Sequence, residues 1–347
     1  MYIRRILTIT ALIGLVFMGV FAYYVYSAVF VPNTAFQNKE AIVLVRTNAT
    51  FKDVIEQLEP LLENTDSFIK IAQKKGYIQN IKAGRFIIKK GSSNNEIVNV
   101  LRSKNTPIKL AFNNQETLSD LAKRIAEQIE ADSLSLIQAF TDIHFLKEND
   151  FTISDAIGMY VPNTYEFFWN TSAEKFRDRM LKEYHRFWNE TRIEKAKKQS
   201  LTPKQATVLA SIVQKETAQV PERKRVAGVY LNRLKMNMLL QADPTVIFAI
   251  KEHMGNYDTI IKRVLYKDLE INSPYNTYKY PGLPPAPIAM PDISSIEAVL
   301  DPEKHDFLFF VADPENFGFH KFARTLAQHN KNKEVYVKWI QSQGIKR

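Results

Sequence analysis

The feature that most limits what this chain can become lies at its start. From Ile6 to Val31 run 26 consecutive residues without a charge, mostly Ile, Leu, Val, Phe, Ala and Tyr. As a helix this run is about 39 Å long at 1.5 Å per residue, enough to cross a roughly 30 Å hydrocarbon core with some tilt. Arg4 and Arg5 precede it, and Tyr23, Tyr24 and Tyr26 lie near its far end, where aromatic rings favour the membrane–water interface. The positive-inside rule then makes residues 1–5 a cytoplasmic stub and residues 6–31 a transmembrane helix, with everything after Pro32 outside the cytoplasm. A cleaved signal peptide is the competing reading, but the apolar run is too long and no clear small-x-small site follows it.

The exported part must fold by itself, and composition allows it. Of the 347 residues, 45% are apolar and 24% charged, ordinary values for a folded chain of one or two domains. The chain has no cysteine, which rules out a disulfide framework and thiolate chemistry. The net charge is +10, and because the first 31 residues hold two Arg and no acid, +8 of it lies beyond the apolar run. That favours anionic partners, including a lipid surface. Nucleic acid is not expected: zinc-finger spacing, an RNA-binding aromatic signature and a long Lys/Arg block are all missing.

Residues 36–110 read as a small α+β module. Ala41–Val45 is a β-branched run, and Thr50 with Asp53 opens an amphipathic helix carrying Val54, Ile55, Leu58, Leu61 and Leu62. A second helix covers Ser67–Lys75 and stops at Gly76; Gly84–Lys89 reads as a strand, and Ser93 with Glu96 caps a helix through Leu101. Residues 111–200 read as a helical connecting region and the start of the domain that follows. Thr117–Glu130 carries Leu118, Leu121, Ile125 and Ile129 on one face, and residues 174–198 read as one long charged helix with a solvated face.

Residues 201–347 hold the best-defined helix start. Thr202 is a good N-cap, Pro203 suits the first helical position and Gln205 completes a capping box. Leu209, Ile212 and Val213 then form an inward stripe whose next position, seven after Leu209, is Glu216. A carboxylate on an apolar stripe is costly unless paired, protonated or solvated in a cleft. Desolvation raises its pKa, and a carboxyl still protonated near neutral pH can serve as a general acid of the kind glycoside cleavage needs. The alternative is a structural ion pair with Lys215 or Arg223. Six histidines include no i, i+4 pair, and Walker, dinucleotide and G-x-S-x-G signatures are missing. His320 and His329 read as structural. The stretch 272–287, with Asn272-Ser-Pro-Tyr-Asn-Thr-Tyr278 and Pro281-Gly-Leu-Pro-Pro-Ala-Pro287, is stiff and irregular. Its Tyr and Asn side chains suit sugar recognition as well as loop packing.

These segments together resemble the YceG-like family, the endolytic murein transglycosylases. The resemblance is carried by Leu209–Thr217, Val229–Leu234, Leu240–Val246, Ser273–Tyr278, Gly282–Pro285, Phe309–Asp313 and His320 through Asn330, in the family's order, and by Val161–Tyr165. Residues 41–103 look like the family's LysM-like subdomain. The resemblance implies an α+β chain: a single transmembrane helix, a LysM-like module, then a mixed α/β catalytic domain with its core in 201–347. It implies Glu216 as catalytic acid, and Gln241, Asp243, Thr245, Tyr275, Asn276, Tyr278, Asn163 and Tyr165 as residues that bind sugar or support Glu216. Three positions depart from the family. Gln214 stands where members often have a second Glu, Ile157 where many have Glu, and Asn163 where many have Asp.

The implied reaction cuts the bond between N-acetylmuramic acid and N-acetylglucosamine in nascent strands, leaves a 1,6-anhydro end, and terminates elongation, with no metal or cofactor. The implied setting is the bacterial inner membrane, single-pass, with the catalytic domain on the extracytoplasmic side. Peptidoglycan strands, the membrane, and synthases or divisome proteins are the implied partners. Two alternatives stay open: a hydrolytic muramidase using Asp243 to activate water, and a non-enzymatic glycan-binding or divisome-scaffold protein.

Overall fold

The computed structural model describes residues 2–103 and 105–343. Helix α1 (Tyr2–Phe30) buries none of its residues, and it is long and apolar enough to cross a membrane. The chain divides into two compact units, residues 1–110 with 128–130 and 165–172, which include α1, and residues 111–127, 131–164 and 173–347.

In the first unit, β1 (Glu40–Val45) runs antiparallel to β2 (Gly84–Lys89), with Val43 opposite Phe86. The period of two turns Val43, Val45, Phe86 and Ile88 to one side. Onto that side pack α2 (Phe51–Leu58), α3 (Thr65–Lys74) and α4 (Asn94–Arg102), which supply Val54, Leu58, Phe68, Ala72, Ile97, Val98 and Leu101. The capping boxes at Thr50/Asp53 and Ser93/Glu96 form as the sequence predicts. The chain leaves α3 through Gly76 at φ +66°, a left-handed conformation that favours glycine. Strand order and helix order thus follow the sequence pattern. The end of α1 is tied down by Asn94, whose amide donates to the Ala28 carbonyl at 2.8 Å. Strands β3 (Pro107–Phe112) and β4 (Asn163–Phe168) form a second two-stranded sheet.

The second unit is mainly helical. It begins with α5 (Leu118–Ala126), α6 (Ser133–Phe140) and α7 (Ile143–Glu148). Helix α5 ends at Ala126, earlier than the pattern through Ile129 predicts, although Ile129 itself is buried. The charged stretch expected as one helix is two, α8 (Ala173–Phe187) and α9 (Glu190–Lys198). Trp188 turns into the core, and the Asn189 side chain accepts from the Arg192 amide to start α9 afresh. Nor is that stretch wholly solvated: Arg177 and Glu183 are buried and paired with Asp142, Asp178, Arg179 and Arg186.

Helix α10 (Pro203–Glu216) is the axis of this unit. Its capping box forms, and every residue from Ala206 to Val213 is buried. A helix covered on all sides must satisfy its polar side chains. Ser211 does so by donating to the Val208 carbonyl and accepting from the Ile288 amide. Around α10 lie α9, α11 (Arg223–Lys235), α12 (Asp243–Met254) and α13 (Ile293–Leu300). Gly228 on α11 sits where the 303–305 segment crosses: a Cβ there would lie 2.6 Å from His305 Nε2 and 2.8 Å from the Glu303 carbonyl oxygen. The proline-rich stretch turns inward, and Ala286 through Met290 are buried. The antiparallel hairpin of β5 (Phe309–Ala312) and β6 (His320–Ala323) and the helix α14 (Leu326–Ser342) complete the unit.

Candidate active site

Glu216 is the last residue of α10, and the chain turns extended at Thr217. The final turn of a helix presents carbonyl oxygens, so a carboxylate there gains nothing from the helix dipole. Glu216 is only partly exposed. Its carboxyl faces a cleft of about 270 Å³ lined by Tyr230 and Arg233 from α11, Leu240, Gln241 and Asp243 at the entry to α12, and Tyr278. Phe309 and Phe310 of β5 with Leu326 and His329 of α14 form the remaining wall.

Tyr230, 1% exposed, donates its hydroxyl to Glu216 Oε1 at 2.6 Å. The Glu216 pKa is pushed up to about 7. Burial is the main cause; the Tyr230 hydrogen bond opposes it, the Asp243 charge adds to it, and His320 and Arg233 act weakly against it. The proposed structural ion pairs do not form. Lys215 instead pairs with Glu116, and Arg223 pairs with Asp292 at 2.7 Å. Near neutral pH, Glu216 is therefore poised between its acid and its base form, the condition a proton donor and acceptor requires.

Arg233 ties two walls of the cleft to α11. Its Nε donates to the Leu308 carbonyl at 2.6 Å and its Nη1 to the Leu240 carbonyl at 2.7 Å, with the guanidinium 5.2 Å from the centre of the Phe309 ring. Gln241 sits at φ +50°, in the left-handed region, where its backbone N–H donates to the Thr277 carbonyl at 3.1 Å. Asp243 accepts from the Tyr278 hydroxyl at 2.5 Å.

Of the residues singled out from sequence, Glu216, Gln241, Asp243 and Tyr278 share this cleft. Thr245, Tyr275 and Asn276 lie behind it, buried. Thr245 Oγ1 donates to the Ala242 carbonyl and contacts Thr277 Oγ1, knotting the 241–245 and 276–278 segments together. Asn276 donates to the Leu269 and Ile271 carbonyls and accepts from the Tyr278 amide, and the Tyr275 ring lies 4.6 Å from that of Phe248. They position the loop that presents Tyr278. Asn163 lines a different groove with Asn113, Asn114 and Arg124, and its side chain accepts from the Thr164 amide. Tyr165, on β4 in the first unit, packs its ring near Phe167 at 6.5 Å.

Tyr230 and Arg233 are polar cleft residues that sequence reasoning passed over. A signal existed: they are i, i+3 partners on a helix face otherwise made of Val226, Ala227 and Val229, and Arg233 is 8% exposed. His329 also belongs to the cleft; its Nδ1 is buried and finds no hydrogen-bond partner among the described residues. Gln214 points elsewhere. In the amide orientation that satisfies both its ends, its nitrogen donates to Asp292 Oδ2 at 3.0 Å and to Ser295 Oγ at 2.6 Å. With Arg223 on the same Asp292, this network fixes the end of α10 against α11 and α13.

A model of the YceG-like family matches residues 43–335. A Bacillus subtilis protein named endolytic murein transglycosylase is 32% identical over 322 residues, covering 86% of each chain. A Streptococcus pneumoniae protein of the same name is 26% identical over 354 residues, covering 92% of this chain and 62% of its own. Among solved structures, a yceG-like protein from Listeria monocytogenes superposes with a TM-score of 0.56 at 30% identity, over 85% of this chain and 99% of that one.

Proposed function

Because the chain belongs to the YceG-like family, we propose that it is a membrane-anchored lytic transglycosylase of peptidoglycan, with Glu216 as its acid and base. The observation that carries this reading is a cleft-facing carboxyl whose pKa burial raises to about 7. Protonated Glu216 donates to the glycosidic oxygen as the bond from the muramoyl anomeric carbon breaks, leaving an oxocarbenium-like centre. The resulting carboxylate takes the proton from the muramoyl 6-hydroxyl, whose oxygen closes on the anomeric carbon. The products are a new 4-hydroxyl and a 1,6-anhydro end, and Glu216 regains its proton. Attack from within the same sugar gains from proximity and needs no bound water. Tyr230 stabilises the carboxylate half of this cycle, and Gln241, Asp243 and Tyr278 are the polar groups placed to hold the sugar.

In this reading α1 spans the inner membrane with the N-terminus in the cytoplasm, and residues 36–110 act as a LysM-like glycan-binding module. Cutting strands as they emerge would terminate their elongation near the synthases. Asp243 on the same cleft favours one second reading, a muramidase in which it activates water. Full-length protein incubated with uncut glycan strands separates the two by product mass: hydrolysis adds one water and transglycosylation does not. Anhydro ends are expected; reducing ends would replace the first reading with the second. Strand binding without cleavage would leave a scaffold role.

A further inference from the structure

The Glu216 cleft is polar, yet most of its hydrogen bonds are already spent within the protein. Tyr230 gives its hydroxyl proton to Glu216, and Tyr278 gives its own to Asp243. Arg233 commits Nε and Nη1 to the Leu308 and Leu240 carbonyls. Apart from Glu216 itself, the side-chain donors left on the wall are Arg233 Nη2, the Gln241 amide and His329, a residue the proposed mechanism does not use.

The setting of His329 fixes which of its nitrogens can donate. Its ring stacks on Phe309, with centroids 5.3 Å apart and planes at 25°, and its backbone N–H closes the first turn of α14 on the Thr325 carbonyl at 3.0 Å. Nδ1 is buried without a partner, whereas Nε2 is neither buried nor bonded among the described residues. Burial first, then the charges of Lys333 and Arg233, hold the imidazole below the usual histidine range, so the ring is neutral at neutral pH. The positive end of α14 acts in the same direction. A neutral ring carries one N–H. On Nδ1 that proton would be a buried donor with no acceptor, so it is assigned to Nε2, the accessible nitrogen of a ring that lines the cleft. Phe309, Phe310 and Leu326 make the rest of this wall apolar. A donor set among apolar groups suits a carbonyl oxygen with a methyl beside it, and on a glycan strand that group is the acetamido.

We propose that His329 Nε2 donates to an acetamido carbonyl of a sugar flanking the scissile bond, which makes His329 a binding residue for the strand. This rests on the peptidoglycan reading of the Glu216 cleft and adds no step to the chemistry of cleavage.

The test measures strand affinity in the Glu216→Gln background, so that no strand is cut during the titration. Full-length Glu216→Gln in detergent is titrated with N-acetylated strands and with the same strands after N-deacetylation, alone and combined with His329→Phe, His329→Gln or His329→Asn. Phe keeps a ring on Phe309 and removes both nitrogens. Gln returns an amide nitrogen near the Nε2 position, and Asn reaches only as far as Nδ1. Loss of one neutral hydrogen bond is expected to weaken binding of acetylated strands about three- to tenfold in the Phe and Asn forms, with recovery in the Gln form and no effect on deacetylated strands. Because Nδ1 has no partner to lose, the Phe form should melt no lower than its parent; if it does melt lower, the Gln and Asn forms decide the matter between them. Equal affinity of all forms for acetylated strands overturns His329 as a binding residue. A loss of the same size on both strands places the contact on another sugar oxygen and overturns the acetamido assignment. Failure of the wild type to cut either strand, with the His329 effect intact, overturns the cleavage reading alone.

Discussion

A carboxyl whose pKa is raised by burial destabilises the fold that buries it, and the size of that effect can be worked out for Glu216. Its pKa moves from 4.5 to about 7 on folding. At 1.36 kcal/mol per pH unit this comes to about 3 kcal/mol. Between pH 4.5 and 7 the folded chain holds a proton that the unfolded chain releases. The stability contributed by that proton is therefore fully present below pH 4.5, is lost as pH rises, and is gone above about pH 7, where the burial penalty is complete. Glu216→Gln keeps the shape and an acceptor for the Tyr230 hydroxyl but cannot ionise. The variant should therefore gain on the wild type by about 3 kcal/mol between pH 4 and pH 8. For a unit of this size that is roughly 6–12 °C in Tm. Thermal denaturation of both proteins across this range isolates the effect, because every other carboxylate titrates in both. The variant should also fold normally and cleave nothing. A stability difference that stays flat with pH would refute the burial argument, whatever the variant's activity.

Three further perturbations address the same cleft and its frame. Tyr230→Phe removes a hydrogen bond to the ionised form, worth about 1.5–3 kcal/mol, so the high-pH limb of kcat/KM should move up by about one to two pH units; an unmoved limb would deny Tyr230 its role. Asp243→Asn removes a charge that raises the Glu216 pKa, so that limb should move down while the products keep anhydro ends; complete loss of cleavage would instead favour the muramidase. Gly228→Ala forces a methyl against Glu303 and His305, and chemical denaturation should report a loss of about 1–3 kcal/mol; a stability equal to wild type would show that the 303–305 segment gives way.

The site was legible where a residue broke its local pattern. Glu216 announced itself because three apolar residues predicted a fourth, and the capping box at Thr202 fixed the register of the helix that carries it. Tyr230 was hidden because an aromatic on an inward helix face is ordinary core, and only its hydroxyl, reaching across from α11, ties it to Glu216. Arg233 was hidden because a long side chain on a helix usually runs out to water, whereas this one turns inward onto the carbonyls of Leu240 in the next loop and of Leu308, far away in sequence. Sequence left open whether the polar residues after Leu240 bind sugar or support the site. Thr245 and Asn276 satisfy backbone carbonyls of their own segments, a use that spacing alone does not separate from sugar binding. The split between α8 and α9 has a related origin: charged residues continue on both sides of Phe187 and Trp188, and the burial of Trp188 with the Asn189 cap ends one helix and starts the next.

Cleavage by this mechanism needs one group that holds a proton at neutral pH and exchanges it during the reaction. Titrating Glu216 directly, by carbon-13 NMR of Glu-labelled full-length protein with Glu216→Gln for assignment, measures that property without substrate. A midpoint near 7, coinciding with the high-pH limb of strand cleavage, is the predicted result. A midpoint near 4.5, or a limb that ignores it, would contradict it.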